Sequence, residues 1–171
     1  LQRDAPLPER PAVDLDWAAG AALAEARCEP GYWGYVTGGA GDEVTLADNR
    51  EAFRRRILRP RMLVDVSEVT TATTALGTAI ELPAMIAPTS LQRVAHPDGE
   101  PALACAAAAA AAIYTLSSLG SVRPRELADA VGDRSPRWLQ LYWSKDRGFT
   151  TELVAEAAEA GFAALVLTID L

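Results

Sequence analysis

The sequence predicts an α/β fold: an N-terminal helical extension followed by the first four strands of a TIM (β/α)8 barrel. Three observations predict it. Residues 12–60 have helical patterns without strands, residues from 83 onward alternate between strand and helix, and each strand of that alternating part ends in polar residues. With 171 residues, of which 50% are hydrophobic and 23% charged, the chain is typical of a globular protein.

The N-terminal part, residues 1–82, is predicted as three helices and a pair of lead-in strands. "DLDWAAGAALAEARC" spaces its apolar residues along one helical face and ends before "EPG". "GYWGYVTGG" predicts a short second helix, and "DEVTLADNREAFRRRIL" a third. Residues 59–83 are rich in Thr, Val and Leu around a Gly turn, which predicts a short β-hairpin or an extended lead-in segment.

The second part, residues 83–171, is predicted as the first half of the barrel. Its strands are "PAMIAPTS", "IYTLSS", "RWLQLYW" and "FAALVLTID". The helices between them are "DGEPALACAAAAAAA", "SVRPRELADAVG" and "TTELVAEAAEAG". We expect N-caps at Asp98, at Ser121 and at the threonine that starts the third helix, and a helix stop at Gly161.

The ends of the predicted strands favour a barrel over a doubly wound sheet. A doubly wound sheet usually carries a glycine-rich phosphate turn after its first strand, and "APTSLQRVAHPDGE" contains none. A barrel places its chemistry at the carboxyl ends of its strands. Polar residues occupy those ends: Thr89 and Ser90, Ser117 and Ser118, Gln140 and Tyr142, Thr168 and Asp170.

Four strands are half of a barrel, which needs about 250 residues. We therefore expect the chain to be truncated and its last strand to be an interior one. The missing C-terminal half would be supplied by the same polypeptide or by a second chain.

Composition argues against several classes of partner. A net charge of −7 opposes nucleic-acid binding, which needs a basic surface. No stretch approaches the ~20 apolar residues of a membrane span, and "LQRDAPLPER" lacks the apolar core of a signal peptide. Cys28 and Cys105 have no metal-binding spacing, so we expect reduced thiols, no metal and a cytoplasmic location.

Several of these segments resemble one family. "YVTGGAGDEVTLADNREAFRRRILRPRMLVDVS", "PAMIAPTSLQRVAHPDGE", "YTLSS", "WLQLYWSKDR" and "GFAALVLTID" are similar, in order and spacing, to the N-terminal half of the FMN-dependent α-hydroxy-acid oxidases and dehydrogenases. The resemblance covers nearly everything from Tyr32 onward. It implies an FMN cofactor, a small 2-hydroxy acid substrate and a homo-oligomer.

The resemblance also implies roles for individual residues. Tyr35, before "GGAGD", would hold the substrate carboxylate, and Tyr142 would bind substrate and act in catalysis. Serine at position 90 departs from the family's alanine. The implied cofactor-binding residues are Pro88, Thr89, Ser90, Ser117, Gln140, Tyr142 and Thr168.

The residues by themselves support this assignment unevenly. Gln140 and Thr168 are polar within apolar strands, and buried polar groups need partners, so the pattern alone favours a functional role. For Tyr35 in "GYWGY", the residues alone favour an aromatic packing role over substrate binding.

Two further residues are excluded from the implied site. His96, the only histidine, lies in the loop that enters the first barrel helix and is not expected to be the catalytic base. Lys145 is not expected to contact the flavin. The catalytic histidine, lysine and arginines should lie beyond Leu171, so this half alone is expected to be inactive.

The predicted function is FMN-dependent oxidation of an L-2-hydroxy acid to the 2-keto acid, with hydride transfer to flavin N5 and reoxidation by O2 or another acceptor. Leu119, where some relatives carry a bulky aromatic residue, suggests a large or aromatic substrate such as a mandelate. The alternative is a non-catalytic half-barrel module that pairs with a complementary half. A barrel that binds another phosphorylated ligand is disfavoured by the Gln-x-Tyr and Pro-Thr-Ser patterns.

Overall fold

The computed structural model describes residues 16–133 and 135–170, which belong to two compact units. The first unit, described from residue 16 to Val69, contains the three predicted helices: α1 (Trp17–Arg27), α2 (Pro30–Thr37) and α3 (Val44–Arg54). Asp16 caps α1, because its Oδ1 accepts hydrogen bonds from Ala18 N at 3.0 Å and Ala19 N at 3.1 Å. The prediction of three helices in this part of the chain is confirmed.

The second unit, from Thr70 onward, starts with the predicted hairpin. Strands β1 (Thr73–Ala75) and β2 (Thr78–Ile80) pair antiparallel. The two residues between them, Leu76 and Gly77, have φ values of 47° and 76°. Positive φ at both positions matches a type I′ turn, whose twist suits a two-residue hairpin.

Four parallel strands follow: β3 (Met85–Ile86), β4 (Ile113–Ser117), β5 (Arg137–Tyr142) and β6 (Ala164–Thr168). Their order in the sheet is their order in the chain. A doubly wound sheet reverses its strand order at one point, and the described strands show no reversal. Strand β3 is shorter than predicted, because Pro83 and Pro88 bracket it and proline cannot donate to the ladder.

A helical segment separates each strand from the next. Helices α4 (Gln92–Ala95) and α5 (Gly99–Ala109) lie between β3 and β4 in the chain, α6 (Pro124–Val131) lies between β4 and β5, and α7 (Arg147–Glu159) lies between β5 and β6. The β-α-β-α-β-α-β pattern is therefore as predicted.

Of the three predicted helix starts, the one at Asp98 is confirmed in position and the other two were wrong. Ser121 lies three residues before α6, whose cap is Arg123. Asp98 occupies the cap position of α5, but its side chain makes no capping bond. Helix α7 begins before the threonines, with the Asp146 carboxylate accepting a hydrogen bond from Phe149 N at 3.0 Å. Gly161, with φ of 75°, does follow the end of α7 as predicted.

The two faces of the parallel sheet are packed differently. Tyr114, Leu116, Leu139 and Leu141 face the helices and form the main core with residues of α5, α6 and α7. The opposite face buries Ile113 and Trp138 against Ile80. Residues two apart in a strand share a face, so the polar side chains at the strand ends belong to the face of Trp138.

Ion pairs join the outer surfaces of α6 and α7. The Arg123 guanidinium binds Glu156, with Nε donating at 2.8 Å, and also contacts Glu152 at 2.7 Å. Burial alone would raise the pKa of Glu156, but hydrogen bonds from Arg125 N and Arg123 outweigh it and leave that pKa below its ordinary value.

No helix among the described residues is long and apolar enough to cross a membrane.

Candidate flavin-binding site

Gln140 is the centre of a hydrogen-bonded group at the carboxyl ends of the strands. The residue is 2% exposed. Its Oε1 accepts hydrogen bonds from Ser117 Oγ at 3.0 Å and from Ser118 N at 3.3 Å. Its Nε2 donates to Thr168 Oγ1 at 2.7 Å. One amide therefore links the ends of β4, β5 and β6.

The group extends to the segment after β3. Ser90 Oγ lies 3.1 Å from Ser117 Oγ, which also accepts a hydrogen bond from Leu119 N at 3.1 Å. Because the single hydrogen of the Ser117 hydroxyl is directed at Gln140, the Ser90 hydroxyl is the donor to Ser117. We call Ser90, Ser117, Gln140 and Thr168 the polar row.

The register of the sheet explains why these residues meet. Ser117 is paired with Gln140, and Tyr142 with Thr168. The side-chain period of two places Ser117, Gln140 and Thr168 on one face. Deeper on that face lie Trp138, apolar residues of β6 and the buried Thr115, so the row forms the polar rim of a largely apolar surface.

Tyr142 lies next to the polar row. It is half-buried, shares a face with Gln140, and is held by a hydrogen bond from its backbone N–H to Ser118 Oγ at 3.2 Å. Pro88 and Thr89 are exposed in the segment after β3, where Thr89 Oγ1 is 3.4 Å from Ala87 O. Six of the seven predicted cofactor-binding residues, all except Pro88, thus take part in hydrogen bonds at one edge of the sheet.

Tyr35 belongs to the first unit. It lies on α2, is 76% exposed, and its ring centroid is 6.4 Å from that of Tyr32. The ring pair agrees with the packing interpretation of "GYWGY", and the substrate-binding role of Tyr35 stays a prediction.

His96 and Lys145 lie outside the polar row. His96 ends α4, its side chain is 67% exposed, and its Nδ1 accepts a hydrogen bond from Asp98 N at 3.2 Å. Lys145 is exposed in the loop between β5 and α7.

Sequence reasoning missed a buried group beneath these loops. Gln92 and Glu100 are 7% and 0% exposed, and Tyr114 between them is 1% exposed. Gln92 Nε2 donates to Tyr114 Oη at 3.0 Å. Burial raises the pKa of the Tyr114 phenol well above its ordinary value, the Gln92 hydrogen bond partly opposes this, and the Glu100 carboxylate adds to it. "LQRVAHPDGE" carried no signal for this group, because its polar residues resemble those of a solvated loop.

The donors of the polar row suit an isoalloxazine ring. Gln140 Nε2 carries two hydrogens, of which one is used for Thr168. The other, and the Thr168 hydroxyl hydrogen, have no acceptor among the described residues. Rigid donors of this kind match the carbonyl oxygens and ring nitrogens of a flavin. Within the same residues, no group of three His, Cys, Asp or Glu side chains is arranged to hold a metal ion.

Comparison with known proteins identifies the family of the chain. The family model described as FMN-dependent dehydrogenase matches residues 24–171. Glycolate oxidase 1 of Zea mays is 47% identical over 149 residues, which are 87% of this chain and 40% of that protein. An L-lactate oxidase of Nostoc is 46% identical over 150 residues, covering 86% of this chain and 41% of that protein.

A solved structure gives the same result at the level of the fold. A mandelate oxidase crystallised with 3,3-difluoro-2-hydroxy-3-phenylpropionic acid superposes with a TM-score of 0.82 at 39% identity, over 90% of this chain and 46% of that one. The FMN-dependent hydroxy-acid oxidases, to which this structure belongs, are TIM barrels. The predicted fold class is therefore confirmed for β3 to β6. The chain spans about 40% of the length of the curated relatives that it matches.

Proposed function

Because the chain belongs to the FMN-dependent dehydrogenase family, whose cofactor is FMN, we propose that it forms part of an enzyme that oxidises an L-2-hydroxy acid to the 2-keto acid. The observation that supports this most directly is the polar row, which offers unused donors at the carboxyl edge of a parallel sheet. That edge is where (β/α)8 enzymes place their chemistry.

When bound, FMN supplies a two-electron acceptor that takes hydride at N5 and is reoxidised by O2 or another acceptor. Gln140 and Thr168 would donate hydrogen bonds to the ring acceptors, and Ser117 and Ser90 would hold Gln140 in position. The Tyr142 hydroxyl, on the same face, would contact the hydroxyl or the developing carbonyl of the substrate without adding charge. The Tyr35 hydroxyl would bind the substrate carboxylate.

A base must remove the proton of the substrate hydroxyl, and this chain offers no histidine for that role. His96 is the only histidine in the sequence and is exposed away from the polar row. We therefore propose that the base comes from residues other than these 171, and that residues 1–171 alone do not turn over substrate.

The remaining strands would complete the barrel beside β6. Among the described strands β6 pairs only with β5, so its other edge is open. On the helix-side face of the sheet, Leu165 and Leu167 are 50% and 52% exposed. Unpaired, apolar strand edges favour association. A second half-barrel, from the same polypeptide or another chain, would cover them, in a homo-oligomeric and cytoplasmic protein. The free thiols of Cys28 and Cys105 agree with that compartment.

The exposed Leu119 side chain supports the proposal that the substrate is large or aromatic. Its side chain is 55% exposed in the turn after β4, next to Ser117. The similar mandelate oxidase was crystallised with an aromatic 2-hydroxy acid. We expect a higher kcat/KM for L-mandelate than for L-lactate, and we expect Leu119→Trp to lower the mandelate value more than the lactate value.

The test is purification of the protein that carries this chain, followed by mass analysis of any released flavin. We expect one FMN for each copy and anaerobic loss of the oxidised flavin absorption on addition of a 2-hydroxy acid. Protein that lacks flavin and does not take up added FMN would overturn the proposal. If such protein instead bound a complementary half-barrel tightly, the exposed edge of β6 would be explained by the alternative, a non-catalytic assembly module.

A further inference from the structure

Glu100 connects two segments that approach the polar row. It lies in the first turn of α5 and has no exposed surface. Its Oε1 accepts hydrogen bonds from Gln92 N at 3.3 Å and from Ser121 N at 2.6 Å. Gln92 follows β3 and Ser121 follows β4, so one carboxylate oxygen bridges the two loops. Its Oε2 has no partner among the described residues, which makes the buried group costly.

Both bridged segments contact the predicted cofactor-binding residues. Gln92 Nε2 donates to Thr89 O at 3.3 Å, and Leu91 N donates to Leu119 O at 3.3 Å between the two loops. Gly120 permits this approach, because a Cβ there would lie 3.0 Å from Ser117 O and 3.4 Å from Glu100 Oε1. The position of Ser117 is therefore tied to the carboxylate through the turn that contains Gly120.

We propose that Glu100 is a positioning residue: it fixes the loops after β3 and β4 relative to each other, so that Ser90 contacts Ser117 and Ser117 contacts Gln140 before FMN binds. The inference rests on the proposed function. The substitution Glu100→Gln keeps one acceptor oxygen. Its NH2 group would occupy the place of Oε2, which has no partner among the described residues.

The test compares Glu100→Gln and Glu100→Ala with Glu126→Gln. Glu126 is the matched control, because it is an exposed carboxylate whose partner is Arg93 in the same region. Hydrogen exchange at the amides of Gln92 and Ser121 is measured without flavin, and FMN affinity is measured by quenching of flavin fluorescence. We expect Glu100→Gln to lose protection at both amides and to bind FMN about tenfold more weakly. We expect about a hundredfold weakening for Glu100→Ala and no change for Glu126→Gln.

Unchanged protection in folded Glu100→Gln, or FMN affinity within about twofold of the wild type, would overturn the inference. An equal loss in Glu126→Gln would do the same, because it would point to general electrostatics. If both Glu100 variants fail to fold, Gln92→Met cuts the link to Thr89 with Glu100 intact, and unchanged FMN affinity there would contradict positioning. Wild-type protein that binds no FMN would overturn the proposed function, whereas amide exchange would still decide whether Glu100 holds the loops.

Discussion

The hydrogen bond between Gln140 and Thr168 should be measurable as a coupling free energy. Thr168→Val removes the hydroxyl at nearly constant shape and leaves a buried amide hydrogen without its 2.7 Å acceptor. An unsatisfied buried donor costs about 1–3 kcal/mol, and Thr168 is only half-buried, so water can reach the gap and we expect about 1 kcal/mol. Gln140→Leu loses three hydrogen bonds worth about 1 kcal/mol each, partly offset by leucine burial, for a net cost of about 2 kcal/mol.

The double variant should therefore be destabilised by about 1 kcal/mol less than the sum of the single variants. Free energies of unfolding come from urea titration monitored by tryptophan fluorescence, since Trp138 is buried on the same strand as Gln140. Thr151→Val is the matched control: its hydroxyl donates to Arg147 O within α7, so it should be additive with Gln140→Leu. Strict additivity of Gln140→Leu with Thr168→Val would refute the hydrogen bond as a stabilising contact.

Three other changes test the site and the helix layer. Tyr142→Phe should lower turnover by about 100-fold and leave FMN content unchanged, because its hydroxyl is assigned to the substrate; unchanged steady-state kinetics would remove Tyr142 from the site. His96→Ala should keep most of the turnover, measured with the same substrate, and a loss of several orders of magnitude in folded protein would identify His96 as the base. Glu156→Gln should make the stability less dependent on acid pH. The pKa of Glu156 in the folded protein lies below its ordinary 4.5. Its contribution to stability is therefore full above pH 4.5 and is lost as the pH falls through the folded pKa. Equal slopes of unfolding free energy against pH from 3 to 6 in both proteins would contradict this prediction.

The strands and their polar ends could be predicted because they depend on local pattern. Gln140 and Thr168 stand out as polar residues in largely apolar strands, and such residues are placed by the two-residue period of a strand. Once parallel pairing is assumed, their meeting at one edge follows from the register. The hydrogen bond between Gln140 and Thr168 follows from this placement of the two side chains at neighbouring strand ends.

The helix starts and the Glu100 group could not be predicted, because they depend on contacts distant in the chain. Serine is a common N-cap residue, but the N–H of Ser121 donates to Glu100. Helix α6 instead starts at Pro124, and proline suits the first helical position. Glu100 itself resembles a solvated acidic residue at a helix start. Only the packing of α5 beneath two loops buries it.

The polar groups at the amino ends of the strands are used differently from those at the carboxyl ends. At the amino end of β5, the Arg137 guanidinium donates to Gly132 O and, at 3.2 Å, to Ala160 O, which are carbonyls that follow α6 and α7. Burial lowers the pKa of Arg137 despite the nearby charge of Asp133, and Phe162 covers the guanidinium at 5.7 Å. Positive charge at helix C-termini stabilises the helices, so the two terminal nitrogens of Arg137 are used within the fold, whereas its buried Nε has no partner among the described residues. Gln140, three residues along the same strand, keeps an amide hydrogen without an acceptor in the described chain, and under the proposed function this hydrogen is the one that a ligand would accept.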